Sequence, residues 1–229
     1  MKRFWKDAAA IPAARGHDIH LDGKPVRTPG RVPLTLPTPA LAEAVAEEWR
    51  AVGETIDPRA MPLTGLANAA IDRIAPDPAA FAAGLAKYGE SDLLCYRADH
   101  PLELLLRQQA AWDPLLDWAR ARYGVDPVTT TGVMHRPQSP ETIGRLADVV
   151  ATRSPFELAA LSPLITITGS LIAALALLEG FAAPDDIWSA ANLDEDWQAE
   201  HWGEDDLAHK ARAARRADFD AGARFLSLL

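Results

Sequence analysis

Strict alternation of apolar and polar positions is confined to the beginning of the chain. In IHLDGKPVR, Ile19 and Leu21 alternate with polar neighbours, Asp22-Gly23 supplies a turn, and Val26 begins a return strand. RTPGRVPLTLP follows, too rich in proline for a central strand and better suited to an edge or a crossing loop. The period then lengthens. Thr38 is a good N-cap, Pro39 suits the first helical position, and ALAEAVAEEW spaces Leu41, Val45 and Trp49 four apart on one face. Gly53 and Pro58 end that helix.

From Pro62 onward the pattern is mostly helical. MPLTGLANAAIDRI places Leu63, Leu66, Ala70 and Ile74 on one stripe, which Pro76 and Pro78 stop. A short helix runs from Ala79 to Tyr88. SDLLCYR reads equally as strand or helix, since four apolar residues in a row carry no period. PLELLLRQQAAWDPLLDWARARYG begins at Pro101, has a bend signal at Pro114 and ends at Gly124, and VTTTGVMHRP is extended. Three further helices are predicted, over Pro140 to Thr152, over Phe156 to Leu178, and from Asp185 toward the C-terminus. The expectation is a helix-dominated α+β fold: a small N-terminal α/β domain over residues 1–75, holding the hairpin and one helix, and a larger helical domain over 76–229.

One run tests that picture. Leu158 to Leu178 is twenty-one residues without a charge, the length of a membrane span. Ser162, Pro163, Thr166, Thr168, Gly169 and Ser170 interrupt it, and its flanks are Glu157 and Glu179 rather than a belt of Trp or Tyr. We therefore read it as a helix buried in a bundle, with no stable membrane insertion.

Composition narrows the function. The 229 residues carry a net charge of −9, so the chain would be repelled by the phosphates of a nucleic acid. Cys95 is the single cysteine, which excludes an internal disulfide, and its apolar LLCY setting suits a buried thiol. The first residues lack the apolar core of a signal peptide, and we expect a cytoplasmic protein.

The densest chemistry is DEDWQAEHWGED, Asp194 to Asp205, with six carboxylates, a histidine and two tryptophans in twelve residues. His201, Asp205 and His209 fall at i, i+4 and i+8, one stripe of zinc or iron ligand types if a helix continues through Gly203. A metal-dependent hydrolase using these three is the alternative reading. Glu200 and Glu204, one turn apart, have the spacing of an acid/base pair. The bland reading of the same stretch is helix electrostatics, with Asp206 and Lys210 as an i, i+4 ion pair ahead of the basic HKARAARR. His17 and His20 would point to opposite faces of a strand and cannot share a metal there. The Gly169-Ser170 hydroxyl has its simplest role in bonding the preceding helical turn or in letting helices approach. Phosphate-cradling glycine loops, nucleophile elbows and zinc-protease helices are missing.

Five blocks carry a family resemblance: Glu47 to Asp72 (EEWRAVGETIDPRAMPLTGLANAAID), Glu90 to Ala119 (ESDLLCYRADHPLELLLRQQAAWDPLLDWA), Thr131 to Gln138 (TGVMHRPQ), ITITGSLIAALAL, and DEDWQAEHWGED. Together, in order and over nearly the whole chain, they resemble the assembly chaperones of the ATP synthase F(1) sector. The resemblance implies a non-enzymatic protein without cofactor that binds the free α subunit before it pairs with β. It also implies a small α/β domain ahead of a helical one, in proteins of bacteria and mitochondria. The family's tail motif maps onto Trp197, Trp202, Gly203, Glu204 and Asp205. This implies Glu204 and Asp205 as charged contacts to the partner and Trp202 as the anchor. The family pattern carries an acid where this chain has Leu207, with Asp206 just before it, so the choice among these carboxylates stays open. EEW and MPLTGLAN are expected to serve the join between the two domains.

Overall fold

Asp22 and Gly23 turn the chain with positive φ angles of 47° and 76°, as a tight two-residue hairpin requires. The computed structural model describes residues 2–132, 134–203 and 205–229. Its first four strands are β1 (Ala8–Ala13), β2 (Gly16–Leu21), β3 (Lys24–Pro25) and β4 (Thr35–Leu36). β2 pairs antiparallel with β1, β3 and β4, and Leu21 lies opposite Ala8 on one side and Lys24 on the other. Gly16 is required where β2 passes β4: its φ is 132°, and a Cβ there would come within 2.2 Å of the Leu36 carbonyl oxygen.

The hairpin and the helix after it are where the spacing predicts them. Helix α1 (Pro39–Ala51) starts with the Thr38 hydroxyl accepting the Leu41 amide at 3.2 Å. Leu41 and Val45 are fully buried against Ile19, Leu34 and Leu36, with Trp49 packed at the margin. Helix α2 (Pro62–Ala69) continues into a wider π turn over Ala70–Ile74, where Ala75 N–H donates to the Ala70 carbonyl at 2.8 Å. The Leu63, Ala70 and Ile74 positions of the stripe are buried. EEW and MPLTGLAN meet here. Glu48 accepts the Leu63 and Thr64 amides at 2.8 and 2.7 Å and the Thr64 hydroxyl at 2.7 Å, capping α2 from a distance.

The chain forms two compact units. The first gathers Met1–Pro78 with Ser154–Ala160 and Ala221–Leu229. Ala160, Phe156, Phe225, Leu226, Leu228 and Leu229 join the core of α1 and the sheet, and the Thr38 hydroxyl donates to the Leu228 carbonyl.

The second unit holds Ala79–Arg153 and Leu161–Asp220. Helix α3 spans Pro78–Ala86, and SDLLCYR resolves into a 3₁₀ turn, Leu93–Cys95, leading into strand β5 (Tyr96–Arg97). Helix α4 (Leu102–Tyr123) runs through Pro114 and stops at Gly124, whose φ is 65°. Strand β6 (Thr130–Thr131) pairs parallel with β5. Cys95 is buried, which pushes its thiol up to about 12 with help from the charge of Asp92, as suits a small apolar side chain in the core.

The three helices expected after residue 139 become six: α5 (Pro140–Ala151), α6 (Pro155–Thr168), α7 (Leu171–Leu178), α8 (Pro184–Ala191), α9 (Leu193–Trp202) and α10 (Asp206–Ser227). The long apolar run breaks because Gly169 takes a φ of 67° and the Ser170 hydroxyl turns forward, accepting the Ala173 amide at 2.9 Å to cap α7. The preceding turn is bonded instead by Thr168, whose hydroxyl donates to the Leu164 carbonyl at 2.6 Å. Both halves are core: Leu161, Leu164, Ile165 and Leu171 to Ala176 are almost wholly buried. Among the described residues, no helix is long and apolar enough to cross a membrane.

Candidate functional site

Helix α4 is laced to both α8 and α9. Trp112, fully buried on α4, donates its indole N–H to the Ala190 carbonyl at 2.7 Å. One turn earlier, Gln108 donates to Asp194 Oδ1 at 2.8 Å, while its own Oε1 accepts the Ala98 amide at 2.8 Å. Next to it, Arg107 bonds both Glu200 oxygens at 2.8 and 3.1 Å and lies 4.7 Å above the Trp197 ring. The same indole stacks on His201, centroid to centroid at 4.2 Å, and His201 Nδ1 is 2.8 Å from the Trp197 carbonyl.

Helix α10 ties α9 from another side. Arg215 pairs with Glu195 and Arg212 with Asp196, both at 2.5 Å. Arg216 pairs with Asp185 and with Asp220, and its guanidinium lies 5.3 Å over the Trp188 ring. The basic run that reads as helix-end electrostatics is therefore a row of interhelical clamps. The Asp206–Lys210 pair expected from spacing is not formed; Asp206 is exposed without a bonding partner among the described residues.

The four acids of the dense stretch that lie on α9, namely Asp194, Glu195, Asp196 and Glu200, are thus committed inside the unit. The Glu200–Glu204 acid/base pair has no support, since Glu200 serves Arg107 and Glu204 lies outside the described residues. The metal stripe also fails on geometry. Helix α9 ends at Trp202, and Gly203 takes φ 79° and ψ 172°, a conformation that breaks the helix and with it the i, i+4, i+8 register. Asp205 instead opens α10, its Oδ1 accepting the Leu207 and Ala208 amides, each at 2.8 Å. Among the described residues, no three His, Cys, Asp or Glu side chains gather into a metal site.

What the α9–α10 junction presents is different in kind. Trp197 is 8% exposed, but Trp202 is 77% exposed and Leu207 78%. Around them stand the Asp205 and Asp206 carboxylates, and a cleft of about 330 Å³ lies beside them, lined by Ala199, Gly203, Asp205, Ala208 and Arg215 among others. Apolar side chains held in water beside exposed acids can dock a protein surface. Sequence reasoning missed Arg107, which orders Trp197, and the exposed leucines of α4, although LELLLRQQ places Leu102 and Leu106 on a face opposite Gln108 and Trp112.

Comparison with known proteins gives a single answer. The family profile described as ATP12 chaperone protein matches residues 2–120. In sequence the chain is similar to the protein atp12, mitochondrial, of Schizosaccharomyces pombe, with 25% identity over 221 residues covering 91% of this chain and 76% of that one. In structure it is similar to Atp12 of Paracoccus denitrificans, with 45% identity, a TM-score of 0.94, and coverage of 99% of this chain and 97% of that one. An aspartate-to-lysine mutant of the P. denitrificans protein matches equally well, with a TM-score of 0.94.

Proposed function

Because this chain belongs to the ATP12 chaperone family, whose members act in ATP synthase assembly and are not enzymes, we propose that it binds the free α subunit of the F(1) sector and keeps it from aggregating until β takes its place. A subunit awaiting its neighbour exposes an apolar interface, and covering that interface suppresses mispairing. The observation that carries the reading is the pairing of Trp202, 77% exposed, with the acids beyond the Gly203 break. An exposed indole supplies contact area at small entropic cost, and a carboxylate rim selects for basic surroundings and lets the contact be displaced. Trp202 is the anchor, Asp205 and Asp206 are charged contacts, and Glu204 joins them on the strength of its place in the motif. Trp197 acts from beneath by holding the end of α9 in place. Work on a subunit before it enters its complex fits a cytoplasmic site of action.

Co-expression tests this directly. The α subunit made with this chain should stay soluble and co-purify with it, and the α subunit made alone should aggregate. An equal soluble yield in both cases would sink the proposal.

A further inference from the structure

The geometry points to a second client contact, an apolar ridge on α4 formed by Leu102, Leu106 and Ala110, which takes an amphipathic helix of the client with a basic flank. This rests on the chaperone reading above. Helix α4 has Gln108, Trp112, Leu115, Leu116 and Ala119 on its buried side, so its other side should be polar. Over the first turns it is not. Leu102 is 64% exposed, Leu106 is 53% exposed, and Ala110 is exposed one turn on, whereas beyond it the outward positions include Pro114 and Asp117.

The location matters more than the exposure. Nine large apolar side chains are exposed among the described residues, and four of them lie near three helix ends: Leu102 and Leu106 at the start of α4, Trp202 at the end of α9 and Leu207 at the start of α10. The Arg107–Glu200 bridge and the Arg107–Trp197 stack hold the first turns of α4 against α9.

The ridge also has shape and charge. A cleft of about 460 Å³ opens beside Ala110, lined by Ala111 and Leu193 and by Arg107, Glu200 and Asp196, the acids being paired with Arg107 and Arg212. From Leu102 to Ala110 the helix rises about 12 Å, enough for two turns of a docked helix with anchors four residues apart. Glu103 stands exposed between the two leucines without an ion pair among the described residues, and the chain as a whole carries −9, so a basic flank is the complementary choice.

The test uses the full chain carrying Leu102→Glu and Leu106→Glu together, with the isolated α subunit as client. The wild-type chain must first protect α, which checks the parent reading by itself. Given that, the double variant should melt with the wild type, because both side chains are already in water, and should need at least about fivefold more protein for half-protection. A photo-crosslinking residue at position 106 should capture α, as one at position 202 should. Wild-type protection by the double variant, or capture of α from position 202 but never from 106, would overturn the ridge while leaving the chaperone reading intact. Self-association of the chain that the double variant abolishes, with protection unchanged, would assign the ridge to a second copy and overturn it too.

Discussion

Asp92 accepts the Ile172 amide at 2.9 Å across a sequence separation of eighty residues, fixing the start of α7 to the turn that leads into β5. Its other oxygen accepts the Leu94 amide at 3.1 Å, so one buried carboxylate serves two chain segments. Burial pushes its pKa up from 3.8 to about 6, against these hydrogen bonds, which favour the charged form.

Replacing Asp92 by Asn removes one of two acceptors and should cost about 1–3 kcal/mol. The pH dependence has a definite sign. A carboxyl group whose folded pKa lies above its unfolded value contributes stability that is complete below about 3.8 and is lost as the pH rises through about 6. The stability gap between wild type and Asp92→Asn should therefore narrow from pH 4 to pH 7 in urea titrations. A gap that widens with pH would mean that the folded pKa is depressed.

Glu48→Ala should loosen α2 without touching the second unit's core. The lost partners are two backbone amides and one hydroxyl, worth about 1–2 kcal/mol together with the capping effect. Hydrogen exchange at Leu63 and Thr64 should accelerate first, and unchanged protection there would show that water replaces the carboxylate at no cost.

At Asp205, cap and charge can be separated. Asn caps a helix about as well as Asp, so Asp205→Asn should keep the first turn of α10 protected while lowering affinity for the client. Asp205→Ala should lower both, with about 1 kcal/mol of stability lost and faster exchange at Leu207 and Ala208. Full client affinity in the Asn variant would confine Asp205 to its capping role.

The two tryptophans of α9 should behave oppositely. Trp202→Ala should shift stability by less than about 0.5 kcal/mol, because its ring is already in water, and should weaken client protection. Trp197→Ala removes a buried ring that both Arg107 and His201 pack against and should cost about 3 kcal/mol or more. Equal melting temperatures for the two variants would contradict the packing described.

Much of this architecture is local, and local features are legible. Asp22-Gly23 announces its hairpin, and Thr38-Pro39 announces α1, because turn and cap chemistry act within a few residues. Strand β1, AAAIPA, carries almost no pattern, since alanine fits either face of either element. The helix breaks at Gly169 and Gly203 each hang on one residue with positive φ, and a periodic reading passes over such single positions. At the site, Trp197 and Trp202 stand in nearly identical text. What separates them is Arg107, ninety residues earlier, and no periodicity along α9 records it. The clamps from Arg212, Arg215 and Arg216 are invisible for the same reason: their partners lie 16, 20 and 31 residues away.

The core of the first unit has a consequence for the order of events during synthesis. Ile19, Leu34 and Leu41 leave the ribosome early, but Phe156 and Ala160 follow only after more than a hundred further residues, and Phe225 after the whole second unit. Until then the nascent sheet and α1 lack part of their cover and the Leu228 carbonyl that Thr38 will bond. The unit that begins first is the one completed last, so a growing chain of this chaperone spends most of its own translation with an unfinished apolar face.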